Sequence, residues 1–145
     1  MVKNKLALWT VLFFLVSFSI LAAENDCIYY FYGEEGCDDC SEVNTYLTQL
    51  QERHPSLKIE KYEVYFNTEN KETLQNFYDG YGIPFGSQKI PIVIVPGSYF
   101  VGKESITALL EDRILNNDNG NCPSPDGDVI GLTGLGSSKD VLQTL

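Results

Sequence analysis

Five consecutive β-forming residues, Ile28-Tyr29-Tyr30-Phe31-Tyr32, lead into two cysteines separated by two residues, Cys37 and Cys40, and then into a segment of helical periodicity. An apolar run this short, closed by Gly33, reads as a strand buried on both faces. Beyond the cysteines, Val43, Leu47 and Leu50 share one helical face with Tyr46 beside them, while Glu42, Thr45, Gln49 and Glu52 fall elsewhere around the turn. The helix is expected from about Asp38 to Arg53. It stops before His54-Pro55 because the residue ahead of a proline is held out of the helical region. The cysteines therefore lie where a buried strand gives way to a helix, a context far more informative than their spacing alone.

That context carries chemistry. A thiolate at a helix N-terminus is stabilised by unpaired backbone N–H groups and by the helix dipole, which makes Cys37 the expected nucleophile. Cys40, one turn further in, is shielded but close enough to attack a mixed disulfide and release the partner. Glu34, Glu35, Asp38 and Asp39 surround the pair with negative charge, and like charge disfavours the thiolate. Since a stabilised thiolate form is what makes a dithiol strongly oxidising, the expectation is a reducing or isomerising pair. The competing readings are a purely structural disulfide and half of a zinc site. Zinc needs four ligands; His54 is the only histidine and there is no second Cys-x-x-Cys, so no metal is expected. His54 itself reads as surface chemistry at a helix end, and Tyr29, Tyr30 and Tyr32 as core and rim aromatics.

Further along, Leu57 to Phe66 alternates in two phases: Leu57 and Ile59 share one parity, and Tyr62, Val64 and Phe66 the other. The change marks either a bulge near Glu60-Lys61 or the point where the strand leaves cover. A second helix carries Leu74, Phe77, Tyr78 and Tyr81 on one face and ends at the glycines 80 and 82. Ile90 to Val95, turned by Pro96-Gly97-Ser98 into Tyr99-Phe100-Val101, predicts a hairpin. Ile106, Leu109, Leu110 and Ile114 predict one buried face of a closing helix from about Glu104 to Leu115. The order is strand, helix, strand, helix, strand, strand, helix, an α/β chain.

This order, the Cys-x-x-Cys at the first strand–helix junction, and Ile90-Pro91 at the start of the third strand resemble the thioredoxin/glutaredoxin-like superfamily over residues 27–115. The resemblance implies a thioredoxin-like β-α-β-α-β-β-α domain with a central four-stranded mixed sheet. It also implies a cis peptide at Ile90-Pro91 facing the cysteines, with the Ile90 backbone pairing with a bound substrate strand. Independently, cis bonds are essentially confined to proline, and a proline opening a strand is where a missing N–H is tolerated; a trans proline at a strand edge is the alternative. Two features depart from the family pattern. Gly36 stands where a tryptophan often precedes the first cysteine, Trp9 being the only tryptophan here. No residue matches the buried acid that thioredoxins use beside the second cysteine.

Residues 1–23 are set apart from the fold. Lys3 and Lys5 precede an apolar stretch from Leu6 to about Leu21, with Ala22-Ala23 before a cleavage point, the pattern of a secretory signal. Left uncut, the run reaches the roughly 18 apolar residues of the shortest membrane span and would serve as an N-terminal anchor. Either outcome makes the domain at 24–116 extracytoplasmic: periplasmic, secreted or lumenal. Residues 117–145, rich in Asn, Gly, Ser, Pro and Asp, read as a flexible tail. The chain carries a net charge of −10; without Lys3 and Lys5 its 10 basic residues become 8 against 20 acidic ones, a net of −12. Such a surface repels nucleic acids and anionic lipid headgroups, while suiting solubility or steering toward basic partners.

Cys27 and Cys122 remain once Cys37 and Cys40 are paired. They form a structural bridge, stay as free thiols, or relay electrons. Two functions follow. The first is a thiol-disulfide oxidoreductase for protein or small-thiol disulfides, without metal or organic cofactor. The second is a non-catalytic docking or redox-sensing domain of a membrane electron-transfer or cytochrome-maturation system, with a membrane redox partner.

Overall fold

A computed structural model of the chain describes residues 26–116 and 121–126. The signal or anchor assigned to residues 1–23, and the assigned tail apart from 121–126, lie outside the described residues. Among the described residues no helix is long and apolar enough to cross a membrane. The elements are β1 (Cys27–Tyr32), α1 (Asp38–Arg53), β2 (Lys58–Glu63), α2 (Thr68–Gly80), a short 3₁₀ turn at Phe85–Ser87, β3 (Ile92–Val95), β4 (Ser98–Val101) and α3 (Lys103–Leu115). The strands form one open mixed sheet in the order β2-β1-β3-β4. β2 runs parallel to β1, whereas β3 is antiparallel to both of its neighbours.

Both faces of this sheet are covered, which is why the central strands read as continuous apolar runs rather than as alternation. Ile28, Tyr30, Val93 and Val95 point to one face, where Val43, Leu47 and Leu50 of α1 meet Ile106, Leu110 and Ile114 of α3. Phe31, Ile92 and Ile94 point to the other, against Leu74, Phe77 and Tyr78 of α2. The two-phase alternation before Phe66 has the same cause. β1 and β2 pair residue for residue from Cys27↔Lys58 to Tyr32↔Glu63, so β2 has no bulge. Leu57 and Ile59 pack with the first cluster, Tyr62 and Val64 with the second.

β2 ends earlier than the hydropathy predicts because the Glu63 carboxylate accepts the backbone N–H groups of Tyr65 (2.6 Å), Phe66 (2.9 Å) and Asn67 (3.2 Å), drawing the chain into a turn. Asn67 then caps α2, its side-chain oxygen accepting from the Asn70 N–H at 3.0 Å. β3 starts at Ile92, two residues after the predicted Ile90, since Pro91 has no N–H to give to the ladder. On α3, Leu109 lies outside the buried face that the periodicity assigns it and is 38% exposed.

α1 follows its expected span. Asp38 and Asp39 in the first turn and Arg53 in the last complement the helix dipole. At its end, Arg53 donates twice to the Glu111 carboxylate on α3, Nε at 3.0 Å and Nη2 at 2.8 Å, and the His54 ring lies 2.9 Å from the same group. Hydrogen bonds from Arg53 and then His54 hold the Glu111 carboxyl down at about 2, against an ordinary 4.5. A carboxyl depressed on folding stabilises the protein above its unfolded value and ceases to do so as pH falls through its folded one. Glu111→Gln is therefore expected to lower the urea midpoint at pH 7 and to leave it close to wild type at pH 2.

Candidate active site

Cys37 is the N-cap residue of α1, half-buried at the helix tip, and its carbonyl accepts the Cys40 N–H at 3.1 Å to open the first turn. Cys40 is 4% exposed. The two are joined in a disulfide with Cα atoms 5.4 Å apart. The arrangement differentiates the sulfurs by position: the first stands at the positive end of the helix dipole, where a thiolate is favoured, and the second lies beneath it within reach.

Strand register brings the predicted substrate-binding residues to the same end of the sheet as the cysteines. β1 and β3 are antiparallel with Phe31 opposite Ile92, so the exit of β1 toward Gly33–Cys37 and the entry of β3 from Ile90-Pro91 emerge side by side. The Ile90-Pro91 bond is cis. Pro91 is buried and Ile90 half-buried. β2, parallel to β1, ends there too: the Val64 N–H donates to the Tyr32 carbonyl at 2.9 Å, and a Cβ added to Gly33 would overlap the Tyr65 ring. Tyr65, 51% exposed, thus lies against Gly33 at the start of the loop that carries Cys37.

Two residues of this region escape sequence reading. Tyr30, read as a core aromatic, is fully buried on β1 and donates its hydroxyl to the Cys40 carbonyl at 2.9 Å. Burial, and then the neighbouring Tyr32, push that hydroxyl well above its ordinary value, so it serves as a donor and not as a base. Lys103, the first residue of α3, places Nζ 3.2 Å from Asp39 Oδ1 and 3.2 Å from the Glu42 carboxylate. Hydrogen bonds to Asp39 and then Glu42 raise its affinity for its proton, fixing it as a cation. Neither role has a local signal. The first requires knowing which face of β1 meets α1, and the second joins residues more than sixty positions apart.

Cys27 and Cys122 lie elsewhere. They are joined in a disulfide, Cα to Cα 4.6 Å, at the opposite end of the sheet where β1 begins. With a rise of roughly 3.3 Å per residue, β1 alone separates them from the loop carrying Cys37 by about 17 Å. Direct sulfur exchange needs contact, so in this arrangement the bridge does not exchange with the Cys37–Cys40 pair. It fastens residues 121–126 to the body: Pro123 is buried, and a Cβ on Gly80 at the end of α2 would overlap the Pro125 carbonyl oxygen.

All four cysteines are thus in disulfides, and among the described residues no group of three His, Cys, Asp or Glu side chains is placed to hold a metal ion. Comparison of the chain with protein-family models, curated proteins and solved structures finds no match.

Proposed function

We propose that this protein is an extracytoplasmic, thioredoxin-like thiol-disulfide oxidoreductase that acts on protein or small-thiol disulfides through Cys37 and Cys40. The observation that carries the reading is the unequal setting of the two sulfurs, one at a helix tip and part exposed, the other buried one turn below. Their position at the end of the sheet where the Ile90-Pro91 segment enters β3 supports it. The Cys27–Cys122 bridge supports an oxidising compartment, where such bonds persist.

In the reducing direction, the Cys37 thiolate attacks one sulfur of the partner's disulfide. A Cys37–partner bond forms, the partner's sulfur–sulfur bond breaks, and the released thiolate takes a proton. The Cys40 thiolate then attacks the Cys37 sulfur, expelling the second partner thiolate, which is protonated in turn. Two electrons and two protons pass to the partner, leaving the Cys37–Cys40 disulfide for re-reduction by a dithiol. The two sulfurs carry both electrons, so no further cofactor takes part. The Ile90 backbone would pair with the partner's extended chain beside the attacked sulfur.

The test is reduction of insulin disulfides by dithiothreitol. The wild-type protein is expected to accelerate it, and no acceleration at any concentration up to that of the substrate would refute the reading.

A further inference from the structure

We propose that Lys103 is a positioning residue that sets the redox poise of the Cys37/Cys40 pair by neutralising Asp39 and Glu42 of α1. The inference rests on the oxidoreductase reading above and adds what tunes it.

Lys103 is badly placed for its own helix. A cation at a helix N-terminus faces the positive end of the dipole, where Asp or Glu is favoured. Its partners explain the position: Nζ lies 3.2 Å from Asp39, one of the two residues between the cysteines, and 3.2 Å from Glu42, a turn into α1. Its side chain is the least exposed of the three, at 27% against 47% for Asp39 and 67% for Glu42. Directly before it, Gly102, with φ +81, gives its N–H to the Pro91 carbonyl at 2.8 Å. Two adjacent residues therefore tie the cis-proline segment to the helix that bears the cysteines. Glycine suits that link because few side-chain-bearing residues adopt its φ.

In chain positions next to the pair the charges are acidic: Glu34 and Glu35 on the loop, and Asp38, Asp39 and Glu42 on α1. Each disfavours a thiolate at Cys37, and Lys103 offsets two of them. Removing that cation destabilises the reduced, thiolate-bearing form and makes the pair more strongly reducing. The ion pairs are partly exposed, so the effect is moderate and screened by salt.

The measurement is equilibration of the full protein with glutathione buffers, with the thiols trapped and counted by mass. Lys103→Met is expected to shift the dithiol–disulfide equilibrium toward the disulfide by about three- to tenfold, where tenfold corresponds to 29.6 mV for this two-electron couple. Alkylation of Cys37 at neutral pH should slow by a similar factor. Lys103→Arg should stay near wild type. The variant Lys103→Met/Asp39→Asn/Glu42→Gln, which removes the cation and both acids, should return to within about twofold of wild type, a rescue that a merely structural role would not produce. An equilibrium for Lys103→Met within twofold of wild type overturns the inference. So does a triple variant as displaced as Lys103→Met. The equilibrium is read without turnover, so failure of insulin reduction would count against the oxidoreductase reading and leave this result to stand or fall separately.

Discussion

Serine at position 37 is expected to lower insulin reduction by on the order of a thousandfold or more, to the rate of dithiothreitol alone, because it removes the nucleophile itself. The hydroxyl is close in size to the thiol, and Cys37 sits at a helix tip where serine is a favoured cap, so the fold is expected to survive. Serine at position 40 should behave differently. The first attack remains available, but nothing resolves the product, and a mixed disulfide between Cys37 and the partner accumulates. Equal accumulation in Cys37→Ser and Cys40→Ser would show that the two sulfurs are interchangeable, contrary to their settings of helix tip and buried first turn.

The second large effect concerns stability. The Cys27–Cys122 bridge closes a loop across a sequence separation of 95 residues, spanning nearly the whole described fold. In the chain-entropy view, a crosslink of that length restricts the unfolded chain enough to contribute about 4–5 kcal/mol. Cys27→Ala/Cys122→Ala is thus expected to lose about that much in urea unfolding. Its insulin reduction, measured where it is still folded, should stay near wild type because the bridge lies at the far end of the sheet. A loss below about 1 kcal/mol would mean that residues 121–126 hold their place without the crosslink. A loss of turnover in the folded variant would contradict the separation of the two disulfides.

What could be read from the sequence, and what could not, divides along the range of the forces involved. α1 was legible because its signals are local: acids at one end, Arg53 and Pro55 at the other, and Val43, Leu47 and Leu50 on one face. β1 and β3 were legible because strands covered on both sides are apolar throughout. The end of β2 was not, since it depends on one carboxylate, Glu63, capturing three backbone N–H groups, which hydropathy does not register. The two-phase pattern in β2 mimics a bulge or a loss of cover because alternation reports on one core, and the sheet has two. Leu109, one position from the buried Leu110, sits at the border of the α3 face, a distinction that periodicity alone does not resolve. Composition made residues 121–126 resemble the rest of the tail, although one sulfur and a buried Pro123 fasten them to the body.

The candidate site shows the same division. Its cysteines and Pro91 announce themselves by local context. The Tyr30 hydroxyl under Cys40, and the chain of contacts from Pro91 through Gly102 and Lys103 to Asp39, exist only once the sheet has brought its strands into register.

The most direct test of the unequal setting of the two sulfurs is to reduce the folded protein, add a substoichiometric thiol-alkylating reagent at neutral pH, and locate the label by peptide mass. Labelling concentrated on Cys37, with Cys40 modified only after unfolding, is the expected result. Labelling of Cys40 as fast as Cys37, or faster, would contradict it.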